Sequence, residues 1–346
     1  MSKILLVSGG AGFIGSNFIR YFLNKYPEHK VINLDKLTYA GNLNNLTAVS
    51  NNPNYFFVKG NIANEKDVKN IFEEFSPNFV VNFAAETHVD RSILDSTDFI
   101  ETNVVGTQLL LDFSREYKIE KFIHISTDEV YGSLGDTGSF TEQSQIKPNS
   151  PYSASKAGSD MLVRAAYKTY GFDTNITRCS NNYGPYQFPE KLIPLMIHNA
   201  LNNKDLPIYG DGKNVRDWIH VKDHCRAIDL ILHKGKPGSV YNIGSDNEWK
   251  NIDLVKLILK ELNKPESLLK FVKDRPGHDR RYAIDSSKLR EELGWEPEID
   301  FRTGIKQTID WYIQHQDWVQ EIVSGDYINY YKRVYDDREE SFKNEK

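Results

Sequence analysis

Residues 3–15 read KILLVSGGAGFIG, and this stretch decides the fold of the chain. The apolar run at residues 3–7 predicts a buried strand, and the amphipathic pattern that continues to about residue 25 predicts a helix. Between them, Gly9, Gly12 and Gly15 are spaced as Gly-x-x-Gly-x-x-Gly. Glycine is needed where the backbone turns tightly and approaches a pyrophosphate, which binds at the N-terminus of the following helix. The stretch therefore predicts a strand, a turn and a helix that bind a dinucleotide.

An acidic residue after the second predicted strand supports the same interpretation. Asp35 follows the strand at residues 31–34 and lies 20 residues beyond Gly15, where a carboxylate that binds the adenosine ribose is expected. Because this carboxylate would repel a 2′-phosphate, the predicted cofactor is NAD rather than NADP. An ordinary turn residue at a strand end is the alternative.

Strands and helices alternate along the first half of the chain. Further strands are predicted at residues 55–59, 79–83, 122–126 and 174–177, with helices at 64–75 and 96–116. The alternation is typical of an α/β fold with a doubly wound parallel sheet of the Rossmann type and a smaller C-terminal substrate-binding region. We expect an NAD-binding domain at 1–180, a mainly substrate-binding region at 181–335 with an interleaved boundary, and a charged tail at 336–346.

A threonine and two acids follow the strand predicted at residues 122–126. Thr127, Asp128 and Glu129 leave the C-terminal end of this strand, which faces the ligand crevice in open α/β sheets. Adjacent acids in isolation are usually part of a solvated turn. The dinucleotide motif upstream makes catalytic acids the better interpretation.

A tyrosine and a lysine lie one turn apart at the start of the next predicted helix. Ser150 and Pro151 begin this helix as N-cap and first residue, so Tyr152 and Lys156 share one face. A phenol has a reference pKa of about 10, and we expect the Lys156 ammonium and the positive helix end to favour the phenolate. The chain contains six Tyr-x-x-x-Lys pairs, and only this one follows an acid cluster and begins a helix at a proline.

The second half of the sequence is less regular. A polar turn is predicted at residues 181–185, a helix at 188–201, a hairpin-like turn at 207–212, and helices at 223–233 and 252–262. Residues 275–281 (RPGHDRR) form a dense basic loop. Arginines beside glycine and proline suit an anionic ligand, and a solvated turn is the alternative. We therefore expect this half to bind the substrate.

Composition and charge limit the remaining possibilities. The chain has 346 residues and a formal net charge of -5 with dispersed basic residues, which argues against a protein that binds nucleic acid or a membrane surface. No long apolar run predicts a membrane span.

The cysteines and histidines predict neither disulfides nor a metal site. Cys179 and Cys225 provide neither a disulfide framework nor a set of zinc ligands. His220 and His224 have the spacing of two zinc ligands, but the glutamate of that motif is missing, so we predict no metal. Without a signal-peptide pattern, a cytoplasmic enzyme is expected.

Together, the glycine motif and the Tyr-x-x-x-Lys pair resemble the extended short-chain dehydrogenase/reductases. Thr127-Asp128-Glu129 narrows the resemblance to the nucleotide-sugar 4,6-dehydratases. Residues 35–42 (DKLTYAGN), 188–192 (FPEKL) and 274–279 (DRPGHD) are similar to the dTDP-glucose 4,6-dehydratases, and the resemblance covers roughly residues 3–315. It implies a NAD-dependent hydro-lyase that converts dTDP-glucose to dTDP-4-keto-6-deoxyglucose and water. It also implies a homodimer formed through helices near residues 96–116 and 151–169.

The resemblance implies a role for each catalytic residue. Tyr152 would take the proton from the C4 hydroxyl of the sugar while hydride passes from C4 to NAD, and Lys156 would tune Tyr152 and hold the nicotinamide ribose. Glu129 would remove the C5 proton, which the 4-keto group makes acidic. Asp128, held protonated, would donate to the departing C6 hydroxyl, and Thr127 would hydrogen-bond the C4 oxygen. Return of the hydride to C6 would regenerate NAD.

Two sets of binding residues follow from the same resemblance. The predicted NAD set is Gly9, Gly12, Phe13, Ile14, Gly15, Asp35, Lys36, Thr38, Asn61, Ile62, Ala84, Ala85, Thr102, Tyr152, Lys156 and Asn182. The predicted dTDP-glucose set is Thr87, Thr127, Asn181, Glu190, Lys191, Leu192, Pro207, Tyr209, Arg216, Asn251, Arg275 and His278. Arg216 and Arg275 are expected at the diphosphate. The family often has aspartate where this chain has Asn61, whose amide oxygen can still accept a hydrogen bond from the adenine amine.

Other functions remain open at this point. A 4,6-dehydratase of a UDP-, CDP- or GDP-linked sugar is the nearest alternative, because the base pocket is assembled from distant loops. A nucleotide-sugar 4-epimerase would share Tyr152 but lack the Asp128–Glu129 pair. A catalytically inactive NAD-binding sensor would keep the glycines and lose the Tyr152–Lys156 pair.

Overall fold

Apolar parallel strands form the centre of the molecule, which a computed structural model describes over residues 2–274 and 277–323. Arg275 and the tail predicted at 336–346 lie outside the described residues. The strands in the described part are β1 (Ile4–Ser8), β2 (Lys30–Asp35), β3 (Tyr55–Lys59), β4 (Phe79–Asn82), β5 (Lys121–Thr127), β6 (Thr174–Cys179), β7 (Asn181–Tyr183), β8 (Leu206–Tyr209), β9 (Val215–His220), β10 (Val240–Ile243), β11 (Glu248–Lys250) and β12 (Leu269–Val272).

Helices cover both faces of the central strands. They are α1 (Phe13–Lys25), α2 (Glu65–Phe75), α3 (Val89–Leu94), α4 (Thr97–Phe99), α5 (Thr107–Glu116), α6 (Pro151–Tyr170), α7 (Leu192–Leu201), α8 (Val221–Lys234), α9 (Asn251–Glu261), α10 (Ser287–Leu293), α11 (Phe301–Gln314) and α12 (Gln316–Ile322). A π-helical segment (Ile100–Gly106) joins α4 to α5, and 3₁₀ helices cover Leu43–Val49, Asp128–Tyr131 and Glu266–Leu268. None of the helices in the described part of the chain is long and apolar enough to cross a membrane.

Among the described residues, seven strands form one sheet in the order β10-β6-β5-β4-β1-β2-β3, and each neighbouring pair is parallel. Successive side chains of a strand point to opposite faces, so Leu5 and Val7 join one apolar cluster while Leu6 joins another. The predicted doubly wound sheet is confirmed. The strand order reverses between β1 and β4, and a ligand crevice is expected outside their carboxyl ends.

A second, smaller unit is built mostly from residues beyond β6. β9 pairs with β7 and β11, β8 pairs in parallel with β12, and α7, α9, α11 and α12 pack around one apolar cluster. The chain also returns to the large sheet after this unit has begun, because β10 adds to β6 and α8 packs in the core beside α1.

Two predicted turns differ from the structure. Residues 181–183 are a strand rather than part of a polar turn, because β7 pairs with β9 in spite of its polar sequence. The segment predicted as a hairpin-like turn at 207–212 begins in β8, which pairs with the distant β12, and a tight turn follows at residues 209–212. In both places the pairing partner is remote in sequence, so local patterns do not predict it.

Two predicted helices also differ in detail. The helix predicted at 188–201 begins only at Leu192. Pro194 explains the late start, since proline is tolerated in the first turn of a helix and not in its interior. The helix predicted at 96–116 is interrupted by the π-helical segment Ile100–Gly106.

Candidate active site

The glycine turn brings β1, β4 and α1 into close contact. Gly9 has a φ of +71°, and a side chain there would place its Cβ 2.6 Å from backbone atoms of Ala84. A Cβ at Gly15 would collide with the carbonyl oxygen of Gly9. Helix α1 begins at Gly12, and among the described residues no side chain caps it and no acid lies in its first turn. Its first amide N–H groups can therefore bind an anion.

Asp35 is held against this turn at the end of β2. One carboxylate oxygen accepts a hydrogen bond from the Ala11 amide at 2.9 Å, and the other accepts from the Leu37 amide at 2.8 Å. Burial raises the pKa of Asp35, and the two hydrogen bonds oppose this effect. The carboxylate thus lies beside the glycine turn, where the ribose-binding acid was predicted.

One continuous cleft runs along the carboxyl ends of the parallel strands. It is lined by every residue of the predicted NAD set and by Thr127, Asp128 and Glu129. Predicted residues that are up to 173 positions apart in the sequence, Gly9 and Asn182, therefore line one cavity. Whether each residue binds NAD remains a prediction.

The predicted catalytic residues meet at one end of this cleft. Thr127 ends β5, and its hydroxyl lies 3.3 Å from the Asp128 carboxylate and 3.3 Å from the amide of Glu129. Tyr152 and Lys156 come from the first turns of α6 and are 7% and 2% exposed. A capping box at the start of α6, between the side chains and amides of residues 150 and 153, fixes the direction in which the helix begins.

The pKa of Tyr152 departs from the expectation drawn from the sequence. Burial, followed by the nearby Glu129 carboxylate, raises the pKa of this phenol well above its usual value, and a hydrogen bond with Thr127 only partly opposes them. For the chain by itself, burial and the Glu129 carboxylate therefore outweigh the groups that were expected to favour the phenolate, Lys156 and the helix end. Sequence shows which charges are close, but the loss of hydration depends on the finished fold.

The ammonium group of Lys156 is held in the wall of the cleft by contacts with β5. Its ammonium donates to the carbonyl oxygen of Ile125 at 2.8 Å and lies 3.4 Å from His124 Nε2. Burial lowers the pKa of Lys156 to about 8, although Asp160 on the next turn of α6 favours the charged form. The lysine can consequently change its charge near neutral pH.

Burial favours the protonated form of Asp128. Burial raises the pKa of Asp128 well above its ordinary range, and the neighbouring carboxylates of Glu129 and Asp217 add to the effect while Arg216 opposes it. A protonated carboxyl group can donate to a leaving hydroxyl at neutral pH. The predicted division between an acid and a base is therefore physically possible at this pair.

A second pocket opens from the catalytic end of the cleft. Its walls include Thr87, Asn181, Glu190, Lys191, Leu192, Pro207, Tyr209, Arg216, Asn251 and His278, all from the predicted dTDP-glucose set. Thr127 lines the first cleft instead, and Arg275 lies outside the described residues. Seven described residues line both cavities and so mark their junction: Thr87, Glu129, Asn181, Glu190, Lys191, Leu192 and Trp218.

The two histidines with zinc-like spacing have other contacts. His224 Nδ1 lies 2.9 Å from the side-chain oxygen of Asn182, and His220 Nδ1 accepts from the amide of Lys222 at 3.2 Å. Burial lowers the pKa of His224 to about 3 and that of His220 to about 4. Both imidazoles are neutral members of the core around the cleft.

Comparisons with known proteins place this site in a family. A family model described as GDP-mannose 4,6 dehydratase matches residues 6–308. The chain is 53% identical over 340 residues to the dTDP-glucose 4,6-dehydratase of Xanthomonas campestris pv. campestris, with 93% of this chain and 96% of the relative covered. The chain belongs to the dTDP-glucose 4,6-dehydratase family.

Solved structures of dTDP-glucose 4,6-dehydratases have the same fold. The enzyme from Bacillus anthracis, solved in complex with NAD, is 51% identical with a TM-score of 0.88, over 93% of this chain and 100% of that one. The enzyme from Streptomyces venezuelae, also solved with NAD, is 49% identical with a TM-score of 0.90, over 92% and 99%. The resemblance drawn from the motifs is thus confirmed over nearly the whole chain.

In this member of the dTDP-glucose 4,6-dehydratase family, several wall residues were not among the predicted site residues. In the first cleft they are Leu34, Ala40, Gly41, Gly60, Phe83, Glu86, Ile125, Ser126, Cys179, Ser180, Gln187, Phe188 and Trp218. In the second pocket they are His88, Val89, Asp90, Leu195, Met196, Ile208, Trp218 and Tyr282. The sequence contained one indication that Trp218 lines the site. Trp218 lies two residues after Arg216, which was predicted to bind the substrate, so both side chains lie on the same face of a strand.

Asn61 departs from the aspartate frequent in this dTDP-glucose 4,6-dehydratase family, and it lines the first cleft. The side-chain oxygen of Asn61 accepts a hydrogen bond from the backbone amide of Ala63 at 3.0 Å. The backbone amide of Asn61 donates to the Asp67 carboxylate at 2.9 Å. An amide oxygen can accept two hydrogen bonds. The predicted contact with the adenine amine therefore remains possible and remains a prediction.

Proposed function

We propose that the chain is a NAD-dependent dTDP-glucose 4,6-dehydratase that forms dTDP-4-keto-6-deoxyglucose and water. One observation carries the proposal: Tyr152 with Lys156 and Asp128 with Glu129 line the same end of one cofactor cleft. An ordinary dehydrogenase needs only the tyrosine and the lysine. An elimination also needs an acid and a base. The relatives named as dTDP-glucose 4,6-dehydratases support the choice of substrate.

The residues of the cleft fit NAD. The uncapped start of α1 suits a pyrophosphate, the glycines leave room for it, and the Asp35 carboxylate suits ribose hydroxyls. When bound, NAD supplies a positive charge beside the phenol and a temporary acceptor for the hydrogen and electron pair of C4, which are returned at C6. Gly9, Gly12 and Gly15 would hold the diphosphate, and Lys156 would hold the nicotinamide ribose.

Tyr152 performs the first proton transfer. It takes the proton of the C4 hydroxyl, so that C4 becomes a ketone. Burial raises the pKa of this phenol, and the charged form of Lys156 together with the cofactor charge must therefore offset that effect. The Thr127 hydroxyl, which ends β5 beside the phenol, orients the C4 oxygen.

The two acids then perform the elimination. The new ketone makes the C5 proton acidic, and Glu129 removes it. Asp128, whose protonated form burial favours, gives its proton to the C6 hydroxyl, which leaves as water. Glu129 finally returns a proton, exchangeable with solvent, to C5. An acid and a base with separate protonation states suit this elimination.

The second pocket holds the nucleotide. Arg216 lies in its wall with its guanidinium 4.4 Å from the centre of the Tyr282 ring, and one of its N–H groups donates to the Asp279 carbonyl at 3.0 Å. These contacts fix the direction of the guanidinium, which suits a diphosphate. The sugar then lies at the junction of the two cavities, next to Tyr152.

A homodimer forms part of the proposal. Ile100 and Val105 on the π-helical segment and Met161 on α6 are 48%, 45% and 44% exposed. Large apolar side chains at such exposure favour burial against a second copy of the chain. Light scattering should give the mass of a dimer, and Met161→Glu should shift it towards the monomer. A monomer mass for the wild-type protein would contradict the proposed homodimer.

The buried free thiols Cys179 and Cys225 support a reducing compartment, the cytoplasm.

The decisive test of the function follows one hydrogen atom. A mixture of C4-deuterated and unlabelled dTDP-glucose should give a product with deuterium at C6 of the same molecule and solvent hydrogen at C5. Mass spectrometry and NMR read both positions. Deuterium retained at C4 would indicate an epimerase, and deuterium carried away on released NADH would indicate an ordinary dehydrogenase. Parallel incubations with UDP-, GDP- and CDP-glucose test the base, and faster turnover of one of these would reject dTDP-glucose as the substrate.

A further inference from the structure

Trp218 carries a buried hydrogen-bond donor that no role assigned above uses. The side chain is 4% exposed and packs in the apolar cluster of the smaller unit. Within residues 2–274 and 277–323, its indole N–H meets no acceptor. The residue nevertheless lines both the cofactor cleft and the second pocket. A buried donor without a partner is unfavourable, so its position at a ligand cavity points to a ligand as the missing acceptor.

The neighbouring strand supplies a matching acceptor. Trp218 on β9 pairs directly with Asn181 on β7, and paired residues of parallel strands present their side chains on the same face. The Asn181 side-chain oxygen is also buried and has no partner in the described ranges. A donor and an acceptor therefore lie side by side at the junction of the two cavities, on the face that Arg216 shares.

The chemistry of a hydroxyl fits this pair. A hydroxyl group accepts one hydrogen bond and donates another, whereas a diphosphate only accepts. The junction must also hold the sugar, because the nucleotide occupies the second pocket while C4 reaches Tyr152 in the first. C4 and C6 face the catalytic residues, which leaves C2 and C3 for the wall.

We propose that Trp218 is a substrate-binding residue whose indole N–H donates to the C2 or C3 hydroxyl of the glucose ring, which in turn donates to Asn181. The inference rests on the function proposed above for the same site. It adds a determinant for the sugar that is separate from the residues that hold the nucleotide. Such a contact would help to place C4 against Tyr152.

The test compares two ligands on one variant. Trp218→Phe keeps an aromatic ring in the core and removes the N–H, and a Tyr152→Phe background slows turnover during titration. Calorimetry on the NAD-loaded protein should show dTDP-glucose binding about 10-fold more weakly, in line with the loss of one hydrogen bond, and dTDP binding unchanged. Equal weakening of both ligands would place the N–H at the diphosphate and overturn the proposal, as would no change in either.

Trp295 provides a matched control. Its indole N–H donates to the Asp223 carbonyl at 3.2 Å, and it lines neither cavity. Trp295→Phe should lower the melting temperature and leave dTDP-glucose affinity unchanged. Trp218→Phe should also lower the melting temperature, because phenylalanine is smaller than tryptophan in the same kind of core, but only this variant should weaken the binding of dTDP-glucose.

A measurement on the unsubstituted Trp218 covers the case in which its variant does not fold. In protein with ¹⁵N-labelled tryptophan, one indole N–H resonance should shift with dTDP-glucose and not with dTDP. Absence of such a resonance would reject the proposal. Failure of the proposed function has a different signature, because wild-type protein would then release no 4-keto product even where dTDP-glucose binds through Trp218.

Discussion

The indole N–H of Trp318 donates to the side-chain oxygen of Asn45 at 2.8 Å, across 273 residues of sequence. The same asparagine donates from its amide to the carbonyl of Ala11 at 2.9 Å, and the amide of Ala11 donates to Asp35. Helix α12 is thereby connected to the glycine turn and to the Asp35 carboxylate. The C-terminal part of the described chain therefore supports the geometry of the cofactor cleft without lining it.

Asn45→Ala should disturb both stability and cofactor binding. The asparagine is 2% exposed, and its loss leaves the Trp318 N–H without its acceptor and the Ala11 carbonyl with only the Asn42 amide as a donor. We expect the free energy of unfolding to fall by about 1–3 kcal/mol and NAD to bind more weakly. Denaturant titration and calorimetry measure the two effects. Asn51→Ala, at an exposed position just after the 3₁₀ helix Leu43–Val49, is the control, and an equal effect there would contradict the role of Asn45.

Tyr152→Phe removes the proton acceptor of the first step and keeps the ring. Turnover of dTDP-glucose should fall by roughly 10² to 10⁴, since this is the typical contribution of a positioned acid or base. NAD should still bind, because the other residues of its cleft are intact. Tyr170→Phe, on the same helix with a side chain that is 59% exposed, should behave as the wild type. Near-normal turnover of Tyr152→Phe would reject its catalytic role.

Asp128→Asn and Glu129→Gln should affect elimination more than the first oxidation. Asn cannot supply the carboxyl proton that Asp128 is proposed to donate, and Gln cannot accept the C5 proton. Single-turnover mixing should then show NADH or a 4-keto-glucose nucleotide accumulating. If both variants instead lose oxidation and accumulate no intermediate, the division of labour between the acids is wrong.

Glu190→Gln should change how stability depends on pH. Burial raises the pKa of Glu190 from 4.5 to about 7. Its neutral form therefore stabilises the fold fully below about pH 4.5, and this stabilisation is lost as the pH rises through about 7. Relative to wild type, Glu190→Gln should be more stable at pH 8 than at pH 5, by up to about 3 kcal/mol. Denaturant titrations without dTDP-glucose measure the difference. Glu116→Gln, at an exposed position, should show no such trend, and a parallel pair of pH curves for Glu190→Gln and wild type would refute the assignment.

Local patterns in the sequence determined the parts of this protein whose cause is local. The glycines after β1 are required by a tight turn that no side chain can enter, and the Ser150–Pro151 start of α6 places Tyr152 and Lys156 on one face. Alternating strands and helices are sufficient to predict a doubly wound parallel sheet, because few other arrangements bury such elements. The long motifs at 35–42 and 188–192 identified the family, and the comparisons confirmed it.

Only the tertiary structure decided what depends on distant partners and on burial. The pairing of β7 with β9 turned a polar segment into a strand and put Asn181 beside Trp218. Burial reversed the expected direction of the pKa shift at Tyr152, because the loss of hydration and the Glu129 carboxylate outweigh the groups that favour the phenolate. Both effects arise when the chain closes on itself, since strand register and access of water are properties of the whole fold and of no single segment.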